Sequence, residues 1–147
     1  MVLYKDGKFH VKGISFCLPD GYYLNTDSEI SQKFRLEALP QDQSFTMRWL
    51  LTEISTKDSY AVLEYLFTED VGFKPIVPVS PISVNGLTGH QCVGVGKYQQ
   101  FYEVQLDLDD GALFGFSIYT RNQYSDIINI IERQDVIWAL NQIYKNK

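Results

Sequence analysis

Long apolar runs, basic clusters and targeting signals are all scarce in this sequence. No run approaches the roughly eighteen apolar residues that a membrane-spanning helix needs, and the N-terminal residues lack the long apolar core of a signal peptide. Lys and Arg number 13 against 18 Asp and Glu, which gives a net charge of −5. Lys and Arg do not form a cluster, so the sequence predicts no basic surface that would bind the phosphate backbone of a nucleic acid. These absences predict a cytoplasmic protein that neither inserts into a membrane nor binds nucleic acid.

Cysteine is also rare. Cys17 and Cys92 are the only two, and they do not form a C-x-x-C motif. Such usage is typical of reduced thiols in a reducing compartment, although the sequence leaves a Cys17–Cys92 disulfide open. The residue pattern indicates no metal site and no cofactor.

The composition is otherwise that of a globular domain. Hydrophobic residues make up 45% of the 147 positions, and the aromatic share is high at 14%. A chain of this length fits one domain, residues 1–147, and can bury about two thirds of the surface that its unfolded form exposes. We expect some of the aromatic rings to reach the surface.

The clearest pattern is an alternation of apolar and other residues between positions 86 and 120. Two segments carry an apolar residue at every second position, the period of a strand with one face in a core. These residues are Tyr102, Val104, Leu106, Leu108, Phe114, Phe116 and Ile118. The intervening Asp109-Asp110-Gly111 predicts a two-residue hairpin turn with positive φ at both central positions.

Other segments predict further strands and three helices. The predicted strands are residues 11–18, which end at the turn Pro19-Asp20-Gly21, the hairpin of 33–39 with 44–55, and 86–96. Residues 73–82 contain three prolines and predict a connection with at most a short edge strand. Helical spacing begins at Thr56, a predicted N-cap, and continues to Gly72. The stretch 123–144 predicts two short helices, the first capped by Asn122 or Ser125 and the second by Asp135 after a break.

This order of elements, with hairpins joining the strands, predicts an α+β fold. Apolar residues also occur on the second face of the central strands, so we expect helices on both faces. The predicted architecture is a three-layer α/β/α sandwich with a central antiparallel sheet.

The opening strand and the element order resemble a known superfamily. The segment Ile14-Ser-Phe-Cys-Leu-Pro-Asp-Gly-Tyr22 is similar to the strand-Pro-x-Gly-aromatic opening of the superfamily that contains PsbP, the DcrB-like proteins and the Ran guanine-nucleotide release factor. The Gly86-Leu-Thr-Gly89 entry into a long strand and the closing helix also resemble it. The resemblance implies an α/β/α sandwich and a non-enzymatic binding or assembly role, and it transfers no functional residue.

Two groups of polar residues invite a chemical interpretation. His90 and Cys92 lie two apart on one predicted strand, which places them on the same side as a thiol–imidazole pair requires. A cysteine that packs as a small hydrophobe is the commoner alternative. Asp107, Asp109 and Asp110 could attract a hard cation, but turn chemistry accounts for aspartates at such a position.

The aromatic residues Tyr98, Phe101 and Tyr119 form a candidate binding surface. Phe101 directly precedes Tyr102 on the predicted strand, so their side chains point to opposite faces and the two rings cannot share one core layer. Either a helix covers Phe101, which the pattern favours, or its ring belongs to a contact surface, where aromatic side chains act as anchors.

The sequence therefore predicts a non-enzymatic protein-binding module of the adaptor or chaperone type, with an unidentified protein partner. A small-molecule-binding protein or enzyme with a pocket between sheet and helix is the alternative, with His90 and Cys92 as its candidate binding residues. A homodimer, formed through an edge strand or an aromatic sheet face, is a third prediction.

Overall fold

A seven-stranded antiparallel sheet is the main element of the computed structural model, which describes residues 2–25, 34–121 and 126–146. In spatial order its strands are β4 (Tyr23–Leu24), β5 (Phe34–Leu39), β6 (Thr46–Thr52), β10 (Leu113–Thr120), β9 (Gln100–Asp107), β8 (Leu87–Val95) and β7 (Lys74–Val84). A smaller sheet has the order β1 (Val2–Lys5), β2 (Lys8–Val11), β3 (Ile14–Phe16) and β11 (Tyr144–Lys145). The helices within the described ranges are α1 (Ser59–Leu66), α2 (Ile127–Ile131) and α3 (Gln134–Asn141).

One face of the large sheet carries the main core. The predicted alternation is confirmed, since Phe114 and Phe116 are fully buried on this face, where Trp49 of β6 lies fully buried beside them. The small sheet closes over them, and the ring of Phe16 stacks on that of Trp49 with centroids 4.9 Å apart. Helices α2 and α3 complete this layer and place Ile127, among others, in the same core. We call this side of the sheet the apolar face.

Helix α1 lies on the opposite face, against β7, β8 and β9. Its Leu63 is buried in a second cluster with Cys92 and Phe101. Helices therefore cover both sides of an antiparallel sheet, which confirms the α+β, three-layer prediction. The small sheet, which shares a layer with α2 and α3, was not predicted.

Several predicted boundaries are wrong. The segment 11–18 is not one strand, because positive φ angles at Lys12 and Gly13 turn the chain between β2 and β3. Helix α1 begins after Asp58, whose carboxylate accepts the Ala61 N–H at 2.9 Å, and not after Thr56. It ends at Leu66, well before residue 72.

The proline-rich segment forms β7, an edge strand of 11 residues with irregular register. Prolines suit an edge, since their missing N–H groups cost nothing where no further strand pairs.

The hairpin between β9 and β10 is present, but its predicted two-residue turn is wrong. Within that turn only Gly111 has positive φ, at 81°, and its N–H donates to the Leu108 carbonyl at 3.2 Å. This is a type I turn followed by a left-handed glycine. The Asp-Gly turn with two positive φ angles occurs instead at Asp6 and Gly7, between β1 and β2.

The C-terminal stretch is divided into two helices, as predicted. Asp126 caps α2 by accepting the Ile128 N–H at 3.0 Å. The predicted caps Asn122 and Ser125 lie outside the described residues. Arg133 occupies the N-cap position of α3, and Asp135 lies in the first turn instead of capping it.

Candidate functional site

A row of directly paired residues crosses the face on which α1 lies. Successive strands β8, β9, β10, β6 and β5 contribute Cys92, Glu103, Ser117, Arg48 and Glu37, in that order. Directly opposite residues in an antiparallel sheet project to the same side. The row begins beneath α1 and continues beyond it as four polar residues, Glu103, Ser117, Arg48 and Glu37, which we call the polar row.

Glu103 and Arg48 form the central ion pair of the polar row. Arg48 Nη2 lies 3.4 Å from Glu103 Oε1, and the two side chains are only 25% and 12% exposed. Ser117 donates its hydroxyl to the other carboxylate oxygen, and Gln105 Nε2 approaches Oε1 at 3.4 Å. Burial raises the pKa of the Glu103 carboxyl, an effect that Arg48, Ser117 and Gln105 offset only in part.

Arg48 has spare hydrogen-bonding capacity. A guanidinium group has five N–H donors, yet Nη2 reaches its partners Glu103 and Ser117 only at 3.4 and 3.3 Å. These distances exceed the usual 2.7–3.2 Å of an N–H···O bond. The Nε atom is buried and has no partner. The cation is therefore held in place without being fully satisfied.

Glu37 completes the row on β5. It is 4% exposed and accepts hydrogen bonds from Arg35 Nη2 at 3.0 Å and from the Tyr119 hydroxyl. Burial, followed by the bond to Glu37, raises the pKa of Tyr119. The Arg48 guanidinium lies 5.7 Å from the centroid of the Tyr119 ring, within the range of a cation–π contact. Tyr119 thus connects the Arg35–Glu37 pair, which its hydroxyl contacts, to the Arg48–Glu103 pair, which its ring contacts.

A cavity of about 170 Å³ lies where α1 ends and the polar row begins. Its lining residues are Arg48, Leu66, Phe73, Gln99, Phe101, Glu103, Ser117 and Tyr119. Two glycines of the β8 region make room for the apolar wall. A Cβ atom at Gly94 would lie 2.4 Å from the Phe101 ring, and one at Gly96 would lie 2.7 Å from the Phe73 ring. The cavity therefore combines charged and apolar walls.

A second cavity of about 570 Å³ adjoins the first, because Tyr119 lines both. It extends over the ends of β5, β6 and β10. The polar residues in its lining include Asn25, Arg35, Glu37, Gln43, Ser44, Thr46, Thr120 and Arg121.

Two of the predicted binding residues meet at the first cavity. Phe101 and Tyr119 are direct cross-strand partners, and both contribute to the lining. Phe101 is covered by α1 and the segment after it, with Phe73 packed edge-on at a centroid distance of 4.9 Å. Tyr98 lies apart, 70% exposed between β8 and β9. Their binding role stays a prediction.

Cys92 and His90 do not form a pair with each other. Cys92 is fully buried beneath α1, and burial raises its pKa to about 12. Cys17 is likewise a free thiol. His90 Nδ1 lies 2.7 Å from the hydroxyl of Ser59, at the start of α1.

Ser59, His90 and Asp107 are the residue types of a hydrolase catalytic triad, but their arrangement here differs from that of a triad. In a triad the histidine lies between the serine and the acid, whereas here the Ser59 hydroxyl lies between His90 and Asp107. Ser59 is fully buried, and Asp107 also accepts its backbone N–H at 2.9 Å. The cluster anchors the start of α1 to β8 and β9.

The three hairpin aspartates face different partners. Asp107 bonds to Ser59, while Asp109 and Asp110 pair with Lys145 and Lys12 at 2.5 and 2.8 Å. Across residues 2–25, 34–121 and 126–146, no three His, Cys, Asp or Glu side chains are grouped as metal ligands.

Sequence reasoning did not identify the polar row. A signal is nevertheless visible, because Arg48 follows Met47 and precedes Trp49, while Ser117 lies between Phe116 and Ile118. Single polar residues within aromatic strands mark the second face. Their meeting in one row depends on the register of five strands, which the sequence does not display.

Comparison with known proteins finds similarity of fold alone. No protein family model matches the chain, and no curated protein matches it significantly in sequence. Among solved structures, it is similar to LpqN of Mycobacterium tuberculosis, a protein involved in cell envelope biogenesis, with a TM-score of 0.61 and 14% identity over 100% of this chain and 90% of LpqN. A Bacteroides thetaiotaomicron VPI-5482 protein matches with a TM-score of 0.50 and 9% identity, over 92% of this chain and 46% of that longer one.

In the part of the chain that is described, none of the helices combines the length and apolar character needed to cross a bilayer.

Proposed function

We propose that the protein is a non-enzymatic binding module that recognises a protein partner through the cavity beside α1. The observation that carries this proposal is the combination, in about 170 Å³, of an unsatisfied Arg48 with an apolar wall. Small-molecule sites usually measure about 300–1,000 Å³. A smaller cavity suits one anchoring side chain of a partner, the kind of contact that dominates protein interfaces.

The state of the reactive residues supports a binding role over catalysis. The Cys92 thiol is enclosed and its pKa of about 12 keeps it protonated near neutral pH. The hydroxyl of Ser59 is enclosed as well, between His90 and Asp107. A nucleophile needs an accessible atom and an adjacent base, and neither residue combines the two.

Capture of partners from a native extract tests the proposal. The baits are the wild-type protein, Leu66→Trp and Tyr65→Trp. Leu66 lines the cavity, so a larger ring there fills it, whereas Tyr65 is exposed on the same helix. We expect a partner, identified by mass spectrometry, that binds wild type and Tyr65→Trp and is lost with Leu66→Trp. A partner retained by both variants, or the absence of any partner, contradicts the proposal.

The second cavity favours one other candidate function. Its volume of about 570 Å³ falls within the range of small-molecule sites, and Arg35 and Arg121 supply cationic groups. A ligand screen by thermal shift tests this candidate, with Thr46→Trp as the variant that fills the cavity. A stabilising ligand whose effect disappears in Thr46→Trp would support small-molecule binding there.

Three wider expectations accompany the proposal. The similarity of fold supports membership of the PsbP-type superfamily. The sequence favours a cytoplasmic location, whereas similarity to LpqN raises a role at the cell envelope, and fractionation of native cells distinguishes the two. The predicted homodimer is tested by light scattering, in which a species of 17.0 kDa alone, at high concentration, would contradict it.

A further inference from the structure

The Arg48–Glu103 pair offers the cavity a donor and an acceptor side by side. Both side chains line the cavity, and Nη2 and Oε1 are 3.4 Å apart. A closed, charge-assisted N–H···O bond measures about 2.7–2.9 Å. The pair is thus slightly open, with a cationic donor and an anionic acceptor both able to take a further partner.

The charge balance of the pair favours a neutral ligand group. A carboxylate would be attracted by Arg48 but repelled by Glu103. An ammonium group would be attracted by Glu103 but repelled by Arg48. Like charges placed together across an interface are costly. An amide avoids this conflict, because its carbonyl accepts from arginine and its N–H donates to a carboxylate.

An extended peptide presents these two groups together. The N–H and C=O of one residue in a strand point to the same side, which is how paired residues exchange two hydrogen bonds in a sheet. Such a residue matches an adjacent donor and acceptor.

The apolar wall limits the side chain that such a residue carries. Leu66, Phe73 and Phe101 form this wall. A cavity of about 150 Å³ lined by similar residues holds a benzene-sized molecule. The 170 Å³ available here therefore accommodates one apolar side chain.

We propose that the cavity binds one apolar residue of an extended peptide, whose carbonyl accepts from Arg48 and whose N–H donates to Glu103 while its side chain contacts Leu66, Phe73 and Phe101. This inference rests on the binding function proposed above and adds the chemistry of the recognised segment.

Three probes with the same ring and different charge test the inference. They are N-acetyl-L-phenylalanine amide, which is neutral, N-acetyl-L-phenylalanine, an anion, and 2-phenylethylamine, a cation. Each is titrated into the full chain at neutral pH while backbone amide resonances are followed by NMR. We expect the neutral probe to shift the resonances of Phe101, Glu103 and Ser117. It should bind about fivefold more tightly than either ion, as one net hydrogen bond would give.

Paired variants connect the preference to the ion pair. Arg48→Met/Glu103→Leu replaces both charges by apolar groups and should abolish the preference for the neutral probe. Asp109→Leu/Lys145→Met does the same to an exposed pair outside this cavity and should leave the preference unchanged. A preference that survives loss of Arg48 and Glu103 overturns the inference.

Two further outcomes separate this inference from the proposed function. If either charged probe binds as tightly as the neutral one, or no probe shifts these resonances, while a partner is still captured in a Leu66-dependent way, the inference fails and the binding function stands. If neither probe nor partner binds, both fail.

Discussion

The two faces of the large sheet are built from alternate residues of the same strands, yet they differ in composition. Trp49 and Phe116 are fully buried in the main core. Their neighbours Arg48 and Ser117 belong to the polar row on the opposite side. Since side chains alternate along a strand, one set forms the main core while the other carries the polar row. The comparison predicts that substitutions on the two faces differ in kind and in magnitude.

The largest contrast is expected between Phe116→Ala and Ser117→Ala, adjacent residues of β10. Removing the buried Phe116 ring leaves a cavity, and such changes destabilise by about 3–5 kcal/mol. Ser117→Ala removes a hydrogen bond to the charged Glu103, with an effect of about 2 kcal/mol. Urea-induced unfolding measures both. Equal losses would mean that the polar face contributes to the core as much as the apolar face does.

Two glycine substitutions extend the comparison of the two faces, because the methyl group that each adds would meet the same residue, Gln105. A Cβ atom at Gly89 would lie 1.9 Å from the backbone carbonyl oxygen of Gln105, whereas one at Gly115 would lie 2.6 Å from the end of its side chain. Backbone cannot move aside as a flexible side chain can. We expect Gly89→Ala to destabilise by about 3 kcal/mol and Gly115→Ala by about 1 kcal/mol. Thermal unfolding of both variants provides the measurement, and the reverse order would contradict it.

The central ion pair should contribute little net stability despite its burial. Glu103→Leu leaves Arg48 without its counter-ion, and we expect a loss of about 3 kcal/mol. Arg48→Met should be similar, because the remaining carboxylate is buried. The double variant Arg48→Met/Glu103→Leu should unfold within about 1 kcal/mol of wild type. A double-mutant cycle tests this, and additive losses would show that the two groups are not coupled.

The smallest expected effect is a pH dependence from Glu103. Its pKa in the folded protein is raised above the ordinary 4.5, so the folded state holds this proton more tightly than the unfolded state does. The resulting stabilisation is complete below pH 4.5 and declines as pH rises through the folded-state pKa. Glu103→Gln cannot ionise and should lose less stability over that range. Unfolding free energies across pH provide the test, and parallel profiles for the two proteins would contradict it.

The sequence allowed the apolar face to be predicted better than the site. Alternation along β9 and β10 identified Phe114 and Phe116 as core residues, because burial of one face imposes a period of two. It also placed Phe101 on the opposite face. The small sheet was missed because β1 and β2 have only four residues each, too few for a clear period. The turn at Asp6 and Gly7 was the available signal.

By itself, the sequence determined the α+β class, the antiparallel hairpins and which side chains face the main core. These follow from local patterns, in which period and turn residues act over a few positions. Only the tertiary structure decided that Glu103, Ser117 and Arg48 meet in one row and that α1 ends beside them. Such a meeting depends on strand register and helix placement, which long-range packing fixes and no local pattern contains.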